Sequence, residues 1–66
     1  MKPWRWLMNR YGLTDAEASR LEGLSDRGWA IQSRVDDFAR EHGCALASPL
    51  ARGYLLELLD VQERRP

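Results

Sequence analysis

Cysteine occurs once in the chain, at Cys44, so no disulfide can close within it. A lone thiol suits a reducing compartment, and the cytoplasm is the expected location. Long apolar runs are also missing. Stretches such as Trp6-Leu7-Met8 fall far short of the ~20 residues a membrane-spanning helix needs, so no transmembrane segment is expected. Lys2 and Arg5 flank too little apolar sequence for a secretory signal. Net charge is zero, and the chain shows no broad basic face of the kind a dedicated nucleic-acid binder carries, so nucleic acid is not the expected partner.

The equipment for catalysis is equally thin. The one histidine, His42, stands two residues from Cys44, but two ligands do not close a zinc site, and no metal or cofactor is expected. His42 reads as a polar residue in a helix's last turn, where a cation is favourable, and Cys44 as a small buried filler. Ser19, Ser25, Ser33 and Ser48 have no base at a useful spacing. Asp36 and Asp37 are adjacent and so point in different directions on a helix. The five glycines form no phosphate-cradling loop. No catalytic residue is assigned, and the chain is expected not to be an enzyme.

What remains is helical patterning in 66 residues, enough for one small domain. Hydrophobic residues make up 44%, sufficient for a core. The charge is unevenly spread. Lys2, Arg5 and Arg10 make the start basic and Arg64 and Arg65 the end, whereas residues 13 to 63 hold all ten acids against five arginines.

Three helices are predicted, at about residues 3–11, 15–42 and 49–62, with a frayed basic tail at 63–66. In the first, Trp4, Leu7, Met8 and Tyr11 recur on one face, Trp6 lies opposite, and Gly12 stops the helix. Thr14 with Glu17 forms a capping box, and Leu13 is placed to staple onto Ala18. From there Leu21, Leu24, Ile31, Val35 and Phe38 follow steps of three and four, with Gly28 and His42 at the remaining positions. That regularity predicts one long helix to His42, ended by Gly43; two helices with Ser25 as a second cap are the alternative. Ser48-Pro49 starts the last helix, where Leu50, Ala51, Tyr54, Leu55, Leu58, Leu59 and Val61 cover about half the circumference. The fold expected is all-α, an antiparallel helical hairpin preceded by a short helix. The long helix would reach roughly 40 Å and the last only about 20 Å. Leu21 and Leu24 would then lack cover, and so a homodimer is expected, with Leu21, Leu24, Ile31, Val35, Phe38, Tyr54, Leu55 and Leu58 forming the dimer or core contacts.

The stretch Phe38-Ala39-Arg40-Glu41-His42-Gly43, followed by Ser48-Pro49-Leu50-Ala51-Arg52-Gly53-Tyr54, resembles the turn of helix-turn-helix proteins. It is also similar to the two-helix part of ribbon-helix-helix repressors. A DNA-binding repressor is what that resemblance implies. The first pattern sets Pro49 inside the recognition helix, where a proline is costly, and the second needs a strand where Glu17 to Asp26 reads as helix. Only Arg52 would reach a base. The better expectation is a regulator or inhibitor that occupies a surface of a larger protein. Trp6, Arg10, Trp29 and Leu56, which all lie off the apolar stripes, are the candidate partner-binding residues, because tryptophan and arginine dominate binding hot spots. A membrane-surface module using the basic, tryptophan-bearing start, and a subunit of a larger assembly, are further classes.

Overall fold

A computed structural model describes residues 2–65, and these form four helices: α1 (Arg5–Tyr11), α2 (Asp15–Gly23), α3 (Asp26–His42) and α4 (Pro49–Arg64). Most helix ends carry the expected local chemistry. Gly12 and Gly43 close α1 and α3 in the left-handed conformation, at φ 64° and 61°. The Thr14 hydroxyl accepts from the Glu17 amide and the Glu17 carboxylate accepts from the Thr14 amide, completing the capping box. The Ser48 hydroxyl accepts from the Ala51 amide, with Pro49 at the first helical position. The first helix begins at Arg5, two residues later than expected, with Pro3 in the turn before it.

The long helix from 15 to 42 is not formed. It divides at Leu24 and Ser25 into α2 and α3, because Ser25 takes φ 53° and ψ −119°, a conformation no helix can contain. Ser25 precedes α3 as in the alternative reading, yet its side chain makes no capping hydrogen bond. Residues seven apart in a straight helix are about 10 Å apart along the axis. Here a Cβ on Gly28 would lie 2.6 Å from the Leu21 carbonyl oxygen, so the two segments meet backbone to backbone. Only glycine permits that approach. The described chain accordingly spans 30 Å at its longest, too short for a helix of roughly 40 Å. Its radius of gyration of 11.1 Å compares with about 10.8 Å expected for a compact chain of this length.

The break rearranges the core. Leu7 and Tyr11 from α1, Leu13 from the connection that follows, Ala18 and Leu21 from α2, Ile31, Val35 and Ala39 from α3, and Ala51, Leu55 and Leu59 from α4 are buried together. Leu21 is therefore covered by its own chain, at 1% exposure, and the case for a second subunit covering it falls away. Leu24, Tyr54, Leu56 and Leu58 are half-buried against this cluster. On α3 the stripe is centred on Gly28, Val35 and Ala39, which moves Phe38 to its flank. There the Phe38 ring stacks on Tyr54 at 4.4 Å and on His42 at 4.1 Å between centroids. Helices α3 and α4 share the most extensive contact.

Ion pairs tie the outer helices together. Arg20 Nε donates to both Glu63 carboxylate oxygens, at 3.0 and 3.1 Å, which joins α2 to the end of α4. This pair is one reason α4 continues past the expected fraying point at 62 to Arg64. Arg52 Nη2 lies 3.3 Å from both Glu17 oxygens, and Asp15 accepts from Lys2 and from the Trp4 indole.

Two expectations follow for stability. Gly28→Ala should lower the unfolding free energy by about 1–3 kcal/mol through overpacking against Leu21. Gly53→Ala, in an exposed helical position with nothing near the added carbon, should raise it by roughly 0.5–1 kcal/mol. Equal effects in chemical melts would mean that Gly28 is not pressed against Leu21.

The second concerns pH. Asp15 is held below its ordinary value by the Lys2 and Trp4 hydrogen bonds, Glu17 chiefly by the Thr14 amide, and Glu63 by Arg20. Burial raises the Tyr11 phenol. Depressed carboxylates contribute stability that is present above the unfolded values of about 3.9–4.3 and is lost as pH falls through the folded ones. A raised phenol contributes stability that is lost as pH climbs above about 10. Melting temperature should thus be flat between these limits and fall beyond both, and Glu17→Gln should shrink the acid limb. An acid limb unchanged in that variant would contradict the assignment.

Candidate functional site

The α1 and α3 helices meet along the flank of α3 opposite to Phe38. At about 100° per residue, Trp29, Gln32 and Asp36 follow one another down that flank. Trp6 leaves α1 on the side away from buried Leu7 and Tyr11, and its ring stacks on Trp29 with centroids 5.8 Å apart and planes 29° apart. Both residues keep a large exposed area: Trp6 is 42% exposed and Trp29 62%.

One helical turn further along, Arg10 and Tyr11 anchor the same crossing. The Tyr11 hydroxyl donates to Asp36 at 2.9 Å, and Arg10 Nη2 lies 3.3 Å from the other Asp36 oxygen. Arg10 Nε donates to the Tyr11 hydroxyl oxygen at 3.3 Å, and its guanidinium carbon sits 5.6 Å from the Tyr11 ring centre. These contacts raise the Arg10 guanidinium, chiefly through the Tyr11 hydrogen bond. The crossing is therefore fixed by a buried phenol and an ion pair, and the tryptophans rest on it. A cleft lined by Trp6, Arg10, Trp29, Gln32, Ser33 and Asp36 opens beside the pair.

Three of the four partner-binding candidates, Trp6, Arg10 and Trp29, come together here. Leu56 does not join them; it is half-buried against the core on α4. Trp29 stacks on Trp6, and Arg10 stands over the Tyr11 ring. Ala18 is fully buried in α2. Gln32, Ser33 and Asp36 were missed as site residues. Their positions three, four and seven residues after Trp29 were the available signal.

A second exposed apolar strip runs along α4. Leu50 and Val61 are 54% and 50% exposed, and half-buried Tyr54 and Leu58 lie between them on the same face. Among the described residues, no group of three or more histidine, cysteine, aspartate or glutamate side chains is placed to hold a metal ion, and no helix is long and apolar enough to cross a membrane. Arg52, the one side chain offered by the helix-turn-helix resemblance for reading bases, is bound to Glu17.

Comparison of the chain with protein families, with curated proteins and with solved structures gives no match. The functional reading therefore rests on the residues themselves.

Exposure sets the expected effect of removing Trp29. Trp29→Ala should cost about the 0.5–1.5 kcal/mol of an aromatic pair. It should not approach the 3–5 kcal/mol of a buried aromatic. Trp29 emission, read in a Trp4→Phe background with Trp6→Phe added, should lie near that of tryptophan in water. A sharp drop in melting temperature together with blue emission would place Trp29 inside the fold.

Proposed function

We propose that this chain is a small non-enzymatic regulator or inhibitor that acts by occupying a surface of a larger protein. The observation that carries this reading is the stacked, partly exposed Trp6–Trp29 pair on a crossing joined by Tyr11, Arg10 and Asp36. An exposed indole is expensive in water, and a pre-ordered aromatic pair loses little conformational freedom when it is covered. Such residues are the usual anchors of protein interfaces, each often worth about 2 kcal/mol or more.

Self-association belongs to the same proposal, with Tyr54 and Leu58 kept from the expected contacts and Leu50 and Val61 joining them. Leu50, Tyr54, Leu58 and Val61 form the apolar face that a second copy would cover, while Leu21 is already enclosed. Light scattering at micromolar concentration should then return close to twice the 7.6 kDa of one chain. The cytoplasm is the compartment that the single thiol favours. The commitment of Arg52 to Glu17, and the acidic middle of the chain, argue against a duplex-DNA repressor.

The experiment is affinity capture from an extract of the native host, comparing the wild-type chain with Trp29→Ala after both are shown to fold. Proteins held by the wild type and lost with the variant are the expected result. An identical captured set would overturn the reading.

A further inference from the structure

We propose that two copies of the chain pair α4 against α4 in opposite directions, about a two-fold axis lying across the helices, so that Arg34 of each copy enters between Glu41 and Glu57 of the other. The inference rests on the reading of the α4 strip as a self-association surface, and it fixes how the second copy sits there. The apolar part of the face is Leu50, Tyr54, Leu58 and Val61. Leu50 and Val61 are its exposed ends, roughly 16 Å apart along the helix axis. Phe38 closes the side towards α3, where its ring stacks on Tyr54, and a cleft of about 330 Å³ opens between Phe38, Leu50, Gly53 and Glu57.

The charges around this strip are ordered along it. The end of α3 meets Tyr54 through Phe38, and its start at Gly28 lies on Leu21, next to Arg20, which holds Glu63 near the end of α4. The two helices therefore run in opposite directions. With Phe38 level with Tyr54, Glu41 stands level with Ala51, Arg34 with Leu58 and Arg27 with Arg65, since both helices rise equally per residue. Arg27, Arg34, Phe38 and Glu41 share one stripe of α3, at steps of seven, four and three. Glu41, Glu57, Arg27, Arg34 and Arg65 are exposed and form no ion pair among the described residues. Free acid thus lies towards the Leu50 end of the face and free base towards the Val61 end.

A second copy of the same face complements that order. A two-fold axis can lie in the face along the helices or across them. Along the helices, it would bring Arg27 and Arg65 level with the same residues of the other copy, where like charges repel. Across them, midway between Leu50 and Val61, it sets Leu50 on the partner's Val61 and base on acid. The partner's Arg34 then arrives level with Gly53, between the levels of Glu41 and Glu57. One operation covers both exposed aliphatic ends and pairs the free charges.

Other occupants fit less well. A nucleic acid or an anionic membrane would meet Glu41 and Glu57 as well as the arginines. An unrelated protein could cover Leu50 and Val61, but it would leave the self-complementary order of the charges without a reason. The Trp6–Trp29 pair lies on the opposite flank of α3 and stays open, so the pair of chains carries two such faces.

The test uses the full chain and two charge-reversed forms of it, Arg34→Glu and the combination of Glu41→Arg with Glu57→Arg, all at exposed positions that no ion pair within the chain uses. Light scattering should return close to twice the 7.6 kDa of one chain for the wild type. Each reversed form alone should associate roughly tenfold more weakly or worse, because like charges then meet across the axis. Mixed in equal amounts, the two should restore the dimer, since every contact across the axis again joins opposite charges. Trp29→Ala should dimerise as the wild type does. A dimer kept by both reversed forms, or no restoration on mixing, would overturn this arrangement and leave self-association standing. A dimer lost with Trp29→Ala would overturn it too, by moving the second copy to the tryptophan face. A wild-type mass of one chain up to about 100 micromolar would remove self-association altogether, with the capture of host proteins through Trp29 unaffected.

Discussion

Where α2 gives way to α3, the backbone of Gly28 lies against the carbonyl of Leu21, and most of the remaining structure depends on that approach. It lets the chain change direction within two residues. Leu21 and Ala18 then enter the same core as Val35 and Leu59 instead of trailing along an unsupported helix. The change of direction requires Ser25 to adopt a positive φ, a conformation that costs of order 1–3 kcal/mol for a residue with a side chain. Burial offsets it: a fully buried leucine such as Leu21 contributes about 1.5–3 kcal/mol relative to leaving it exposed. In so short a chain, that exchange decides whether Leu21 is covered by its own chain or left along an unsupported helix.

The local signals in the sequence were readable because each acts over a few residues. Thr14 with Glu17, Ser48 with Pro49, and the glycines at 12 and 43 set helix ends through contacts no more than four residues apart. The break at Ser25 was harder to see, because hydrophobic periodicity records which side of a segment is apolar and not whether two segments share an axis. The seam of threes and fours runs unbroken through Ser25 although the helix does not. Gly28, a glycine at a seam position, was the residue that carried the information. The end of α4 at Arg64 is held both by the local Asp60–Arg64 pair at 2.9 Å and by Arg20, 43 residues from Glu63, and only the first of these lies within one helical turn. The shift of α3's stripe from Phe38 to Ala39 likewise reflects the aromatic stack with Tyr54.

The candidate site was legible in its residues and not in its geometry. Trp6 and Trp29 stood out because each fell away from the apolar face of its own helix. That they meet follows from the crossing of α1 over α3, which the buried Tyr11 and its bond to Asp36 fix in place. The same crossing consumes Arg10, and the α2–α4 contacts consume Arg20 and Arg52, so several cations of a neutral chain are spent internally. Unpaired charge of both signs is left beside the apolar strip of α4. Fold and surface are linked in that sense: the ion pairs that hold the helices together also determine which charges face a partner.

Nuclear Overhauser contacts in solution test this arrangement most directly. The account expects cross-peaks between the Trp6 and Trp29 indole protons. It also expects the sequential helical pattern to lapse at Ser25, with contacts between Gly28 and Leu21 across the gap. A helical pattern continuous from Asp15 to His42, with the two indoles showing no contact, would contradict it.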